Sequence, residues 1–456
     1  MDGGGEDIAM SVHIKKATSL IDCINSFELE PLRGIDYDNM FCDTHEARTG
    51  DQHTDPILEL IDTYEVTQGP RHTLLVGHTG CGKSTEMQTF IRHMQKRNAL
   101  VIDISAKEKL DLRAATYIDL LLMVMIYLVK AAVGDGLKIK EGAAKRLFHY
   151  WKSITERESL KETSIGGKLD FGVNVESSKI PFIKPLVEFF GNLGATLTTE
   201  TVTRNAIKTI IEPEISEFID ILRDVSANIS DALIKHNRPK IPIMVVDDLD
   251  KLEVSQAMEL FYRHGSTLAL LPFHVIYTFP IQMAYSPEFT SIQSYFEHVF
   301  LPMIKLRNWD LAEKYSRFEQ GWRAVECIIE RRADESLIET KALTHMIEMT
   351  GGYLRDLFKV IMQAAKRANR RKAKQIEMED AQAALNVLQS ELARTIKEEH
   401  YETLKKIYRG NKQLIQNRDQ LLDLLHCRAV LEYNGKRWCD IHPLVEGLLH
   451  QNGVLN

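Results

Sequence analysis

The sequence has little that would mark a secreted, membrane-spanning or disordered chain. Its six cysteines (Cys23, Cys42, Cys81, Cys327, Cys427 and Cys439) are scattered through 456 residues. They lack the dense spacing that staples small extracellular domains, and the pattern fits a reducing, cytoplasmic setting. Residues 1–16 place acids and glycines ahead of the first basic residues and have no apolar centre, unlike a secretory signal. The longest apolar run, Leu120–Val129, is bounded by Asp119 and Lys130 and is about half the roughly 20 residues that cross a bilayer. It is expected as a buried helix, and no membrane association is expected. Positive charge is not in excess, since 57 Lys and Arg face 64 Asp and Glu for a net charge of -7. That argues against coating nucleic acid along the whole surface and leaves a local basic patch open. No internal repeat or low-complexity tract occurs. With 44% hydrophobic and 27% charged residues, the composition is that of a globular chain.

What is present begins with Thr73–Val76, a short continuous apolar run ending at Gly77, as a buried parallel strand would. After it, Met87, Phe90, Ile91 and Met94 fall on one face of a helix. Ala99–Ile104 reads as the next strand, at the spacing of a strand-helix-strand crossover. Around 137–204 the character changes: Leu169, Phe171, Val173 and Val175 alternate with polar residues among glycines and prolines, the mark of an insertion with a β element. A helix carrying Ile215, Phe218, Ile219, Leu222, Val225 and Ile229 returns to the sheet. Ile243–Val246 and His274–Tyr277 are then expected as strands, with a last one near Val299–Ile304. Beyond these the chain reads as helical, with Leu354, Leu357, Phe358, Ile361, Met362 and Ala365 on one face. From about Ala393 it alternates helix with two short strands around the turn signal Asn434-Gly435.

Between the first strand and the first helix lies Gly77-His78-Thr79-Gly80-Cys81-Gly82-Lys83-Ser84, a G-x-x-x-x-G-K-[ST] pattern. Glycines let backbone N–H groups turn towards phosphate oxygens, Lys83 neutralises the terminal phosphates, and the Ser84 hydroxyl suits Mg²⁺. The helix that continues through Thr85 adds its positive end. Phosphate-loop enzymes hold their metal with an acid at the end of a second buried strand, and Asp247-Asp248 comes after Ile243–Val246 in that way. Asp247 is placed to hold Mg²⁺ and Asp248 to polarise an attacking water. Asp250 and Lys251 continue the cluster either as part of the site or as solvated charge. Thr278, at the end of the next strand, is a candidate to sense the γ-phosphate. Guanine recognition would call for an N/T-K-x-D element, and the near match Asn411-Lys412-Gln413-Leu414 lacks the acid. ATP is therefore the expected nucleotide. A transporter-type LSGGQ signature is also missing.

Together, GHTGCGKST, IMVVDDLDKL, the strand with Thr278 and the segment TGGYLRDL resemble the AAA+ ATPases. The similarity is greatest to the branch shared by origin-recognition-type and STAND-like proteins, which includes ATPases of bacterial conflict and defence systems. It spans about His45 to Leu392. The resemblance implies an α/β P-loop core with a parallel sheet, an inserted α+β segment, a helical lid and a C-terminal winged-helix-like domain. It also implies a sensor arginine at Arg355, a sensor residue at Thr278 and adenine or ribose contact by the segment before the core, with Ala47-Arg48 and the residues near Pro70 as candidates. The implied boundaries are 1–65 for the N-terminal segment, 66–300 for the core with its insertion at about 137–204, 301–392 for the lid and 393–456 for the winged-helix-like part. Two departures stand out. Asp248 replaces the usual glutamate and is one methylene shorter. The stretch Ser294–His298, where a neighbour-donated arginine is expected, has none, leaving Arg263, Arg307 and Arg317 as substitutes.

The C-terminal part, with helix Gln416–His426, strand Arg428–Tyr433 and strand Arg437–Ile441, resembles a winged helix. Such folds serve either DNA or protein partners. Lys366–Lys374 is the strongest basic run and reads either as a phosphate-binding patch or as a solvated helix end. His426, Cys427, Cys439 and His442 read as zinc ligands or as core packing. Expected partners are a second copy of the chain or a protein effector, met through the insertion or the C-terminal domain, with DNA as the further option.

Overall fold

Short apolar runs bounded by glycine or acid become the buried strands of this chain. The computed structural model describes residues 13–50, 55–162, 202–310, 314–410, 418–433 and 438–455. In chain order the longer elements of the first part are α1 (Gly34–Met40), α2 (His45–Thr49), α3 (Pro56–Val66), β1 (His72–Gly77), α4 (Lys83–Lys96), β2 (Val101–Ser105), α5 (Tyr117–Gly134), α6 (Glu141–Glu162), α7 (Val202–Ile211), α8 (Ile215–Lys235), β3 (Ile243–Asp247), β4 (His274–Pro280) and β5 (Glu297–Phe300). Then come β6 (Arg307–Asp310), β7 (Lys314–Arg317), α9 (Glu319–Arg332), α10 (Thr340–Thr350), α11 (Leu354–Arg370), α12 (Met378–Ala393), α13 (Tyr401–Arg409), α14 (Arg418–His426), β8 (Val430–Tyr433), β9 (Trp438–Ile441) and α15 (Pro443–Gln451). The chain forms two compact units.

The sheet unit comprises Pro56–Thr79 and Thr89–Phe300. Its five strands run parallel in the order β2-β3-β4-β1-β5. Strands β1, β3 and β4 are buried at every position, as a sheet covered on both faces requires. Helix α5 begins with a capping box in which Thr116 and Asp119 bond each other's backbone N–H groups. Asp119 also receives Arg204 of α7 through Nε and Nη2, both at 2.9 Å, which fixes the helix returning from the insertion. Residues Leu120–Ile126, Leu128 and Val129 are fully or almost fully buried, so the expected core helix is present. Helix α5 is long and apolar enough to cross a membrane, and 72% of that window is buried inside the protein. The β element expected at Leu169–Val175 lies outside the described residues.

The helical unit comprises Met1–Asp55, Gly80–Gln88 and Leu301–Asn456. Helices α10, α11 and α12 pack on one another, with Leu357, Phe358, Ile361, Ala364 and Ala365 of α11 buried. The C-terminal part is winged-helix-like: α13 and α14 precede the antiparallel pair β8–β9, and α15 packs against α12. The last core strand is shorter than expected. β5 ends at Phe300, and the apolar run continues in the helical unit, where Met303 N donates to the Glu432 carbonyl at 3.1 Å. One run thus serves two partners, which a sequence pattern cannot divide. The antiparallel pair β6–β7 has no counterpart in the expected helical segment after 301. Among the scattered cysteines, Cys42 and Cys327 form a disulfide, a pairing that the expectation of a reducing setting did not include. It joins the segment after α1 to α9.

The parallel sheet with a glycine loop leaving β1, the helical segment and the winged-helix-like C-terminal part make this an α/β P-loop fold.

Candidate functional site

The loop that opens α4 takes a backbone path only glycine adopts without strain. Gly80 and Gly82 have φ of +85° and +106°, in the region that disfavours side chains. A Cβ on Gly80 would lie 2.8 Å from Tyr353 Oη and overlap Arg355 Nε, and one on Gly82 would lie 3.0 Å from Arg48 Nη2. Within the helical unit, Arg48, Tyr353 and half-buried Arg355 therefore wall the loop segment Gly80–Ser84. Lys83 is 4% exposed and is the first residue of α4. Ser84 is half-buried. Thr85 Oγ1 accepts a hydrogen bond from Leu32 N at 3.3 Å, and the Cys81 thiol donates to the Leu301 carbonyl at 3.9 Å.

Arg48, expected beside adenine or ribose, is 1% exposed. Its Nε donates to Thr44 Oγ1 at 2.8 Å, Nη1 to the Pro302 carbonyl at 2.6 Å, and Nη2 to the Cys81 carbonyl at 2.9 Å and to Glu86 Oε1 at 3.4 Å. The guanidinium is bonded to the loop's own backbone and braces it. Glu86 also accepts from the Thr44 hydroxyl. His45 stands beside this cluster, with Nδ1 paired to Asp55 and Nε2 3.7 Å from Glu86 Oε2. Burial works against its protonation, but the hydrogen bond and charge of Asp55, with Glu86 and Asp43, hold its pKa above the ordinary value.

In the sheet unit, β1 delivers Gly77, His78 and Thr79. Val246 pairs with Tyr277 and Leu75 with Thr278, so Asp247 and Thr278 lie at the same sheet end at which β1 releases Gly77. Thr79 Oγ1 donates to the Asp250 carbonyl at 3.1 Å, joining the loop's start to the turn after β3. Asp247 and Asp248 are each 4% exposed. Asp247 Oδ1 accepts from Asp248 N at 2.7 Å, which holds Asp248 in the left-handed region at φ +69°. Leu249 N donates to Thr278 Oγ1 at 3.0 Å. Thr278 thereby caps the turn that presents Asp248.

The Asp248 carboxylate receives Lys251 Nζ on Oδ1 and Ser105 Oγ on Oδ2, the latter at 2.5 Å. Burial alone would raise its pKa, but the bonds from Lys251 and Ser105 and the charges of Lys251 and Lys107 hold it below the usual carboxylate value. It is ionised at neutral pH, as a proton acceptor must be. Ser105 carries no motif of its own, although its place at the end of β2, which neighbours β3 in the sheet, is the signal that could have found it. Lys251 was visible in the sequence, but its pairing with Asp248 was not.

The remaining candidates divide. In the basic run, Arg371 Nη2 lies 2.7 Å from Asp380 and 2.6 Å from Glu377, and Arg367 Nε lies 3.5 Å from Asp380. The run therefore carries less unbalanced charge than its composition. In the winged-helix-like part, Gln420 of α14 accepts from Thr403 Oγ1 at 2.5 Å. Cys439 is buried in β9 and its thiol pKa is pushed well up by burial. His442 Nδ1 accepts from Leu444 N at 3.2 Å as the cap of α15. Of the three substitute arginines, Arg263 has the most exposed side chain, at 75%, against 38% for Arg307 and 49% for Arg317.

No protein-family profile matches the chain, and no curated protein matches its sequence. Solved structures similar to it include the Aeropyrum pernix ORC1 protein in complex with DNA, at 13% identity and TM-score 0.36 over 88% of this chain and 92% of that one. Drosophila ORC bound to DNA gives 11% and 0.36 over 100% and 82%. The Thermotoga maritima RuvB Holliday junction branch migration motor gives 11% and 0.31 over 87% and 93%.

Proposed function

We propose that this chain is a Mg²⁺-dependent ATPase of AAA+ type, which binds ATP at the loop Gly77–Thr85, hydrolyses it and works as a nucleotide-driven switch or assembly regulator. The observation that carries the reading is the glycine loop itself: two positive-φ glycines, at +85° and +106°, walled by cationic side chains, at the start of a helix. A backbone cradle that a Cβ would fill, with buried Lys83 at its end, fits a phosphate chain. Ser84 and Asp247 offer the hard oxygen donors that Mg²⁺ takes. Bound there, ATP with Mg²⁺ supplies the phosphoanhydride to be cleaved and neutralises its charge. Lys83 and Arg355 stabilise negative charge on the terminal phosphate. Asp248 takes the proton of the attacking water, and Thr278 keeps the Asp248 turn in place.

The test is phosphate release together with equilibrium ATP binding. The parent should turn over, Asp248→Asn should lose about 100-fold or more in rate while still binding, and Lys83→Ala should lose binding. A parent that binds ATP yet releases no phosphate under any condition would leave an ATP-locked scaffold that recruits an effector, and one that binds none overturns the proposal. The proposed setting is the cytoplasm, as the ATPase component of a bacterial defence system, acting through a homo-oligomer or a protein effector. The motif resemblance supports that setting, and copurification from the native host tests it. DNA loading is the weaker reading, because Asp380 and its neighbours balance Arg371 and Arg367.

A further inference from the structure

The C-terminal part carries a group that no motif assigns. Arg428 is the middle of the three residues between α14 and β8, a non-glycine residue held at φ +64°. At that backbone angle its guanidinium centre stands 5.6 Å from the centre of the Tyr353 ring. Nη1 is 3.4 Å from Tyr353 Oη and 3.4 Å from Asp356 Oδ1. Asp356, in the first turn of α11, is fully buried. Its other oxygen, Oδ2, lies 3.6 Å from Nε2 of fully buried His442, an ion-pair distance too long for a hydrogen bond. Neither atom has a hydrogen-bond partner among the described residues. A buried carboxylate needs a cation, and both of the basic groups facing it from outside its own helix belong to the C-terminal part.

Residues Tyr353, Arg355 and Asp356 sit on one tight turn. Gly351 and Gly352, with φ of +61° and +81°, precede it, and the Tyr433 hydroxyl of β8 donates to the Gly351 carbonyl at 2.7 Å. The start of α11 is therefore held by β8 at one point and by Arg428 at the next. The same turn adjoins the phosphate loop, where a Cβ on Gly80 would lie 2.8 Å from the Tyr353 hydroxyl and overlap Arg355 Nε.

We propose that Arg428 is a positioning residue for the nucleotide site: through Tyr353 and Asp356 it fixes the turn that sets Arg355 against the phosphate loop, making the C-terminal part a component of that site. The proposal rests on nucleotide binding at Gly77–Thr85. Coupling of this kind is reciprocal, so what nucleotide does to the turn is felt at Arg428 and β8, and a partner on the C-terminal part alters nucleotide affinity.

The experiment measures binding of a fluorescent ATP analogue and amide exchange of 428–433 and 441–449 in the full chain. Variants are Arg428→Met, which keeps length and removes charge, Arg428→Lys, Tyr353→Phe, Arg355→Ala and the double Arg428→Met/Arg355→Ala. Arg428→Met should weaken binding by about 10-fold, Arg428→Lys should recover part of it, and Tyr353→Phe should lose less. Nucleotide should protect 428–433 in the parent and not in Arg428→Met. In the Arg355→Ala background, Arg428→Met should cost almost nothing further, because the two act through one contact. Full additivity of these two changes, or parent-like binding by Arg428→Met, overturns the inference while nucleotide binding stands. If Arg428→Met does not fold, Tyr353→Phe and the exchange data of the parent decide, and absence of nucleotide protection at 428–433 counts against it. A parent that binds no nucleotide removes both readings.

Discussion

Asp248 shows how much of a site's chemistry is set by contacts too local for a motif to state. Its carboxylate is buried, yet it stays ionised because Lys251 and Ser105 both donate to it. The same Lys251 that keeps it charged competes for the lone pair that would take a proton from water. Lys251→Met removes a hydrogen bond and a charge that lower the pKa and leaves only Ser105 and Lys107 to oppose burial, so the pKa of Asp248 moves up. A raised pKa leaves the base protonated to higher pH, and the acid limb of the turnover profile should shift upward relative to the parent. Lys251→Arg should restore it. An unmoved acid limb in Lys251→Met would remove Asp248 from the role of base. Arg48 makes the companion point about the loop: a buried cation beside it is bonded to its backbone. Through its bonds to Thr44, Pro302, Cys81 and Glu86, it braces the backbone of the loop.

Among the elements, the N-terminal segment is the one whose attachment decides whether Arg48 is in place. The Cys42–Cys327 bond closes a separation of 285 residues and lies two residues before Thr44, a partner of Arg48. Further bonds hold the same segment to the end of α9 and the residues just beyond it: Ala17 N donates to the Arg332 carbonyl at 2.8 Å, and Asp334 N donates to the Ala17 carbonyl at 2.9 Å. Opening so long a loop raises the entropy of the unfolded chain and by the chain-entropy relation lowers stability by roughly 5–6 kcal/mol. Cys42→Ser, or a thiol reductant, should lower the unfolding temperature and weaken ATP binding, whereas Cys23→Ser should respond to reductant as the parent does. Identical melting with and without reductant would show that the bond does not form in solution, as a reducing cytoplasm would also ensure. This element also marks the limit of the sequence. β1, β3 and β4 were legible because a strand buried on both faces must be an unbroken apolar run, and the acids at 247 and 248 come at the end of one such run. The brace by Arg48, the disulfide and the Arg428 contact join residues tens to hundreds of positions apart, and no local period encodes them. Arg371 lies between: its acids at 377 and 380 are close in sequence, but only the turn between α11 and α12 brings them round.

Taken as a whole molecule, the chain divides at its own phosphate loop, since Pro56–Thr79 belongs to one compact unit and Gly80–Gln88 to the other. The motif Gly77–Ser84 thus contributes backbone to both. A ligand that binds this segment stabilises the folded state by RT ln(1 + [L]/Kd). At ATP about 1,000 times its dissociation constant this is about 4 kcal/mol, enough to raise the melting temperature of a chain this size by several degrees. The expected result is that ATP with Mg²⁺ raises the unfolding temperature. Lys83→Ala should melt as the apo parent does and show no rise at the same ATP concentration. An equal rise in Lys83→Ala would place the bound nucleotide somewhere other than Gly77–Ser84.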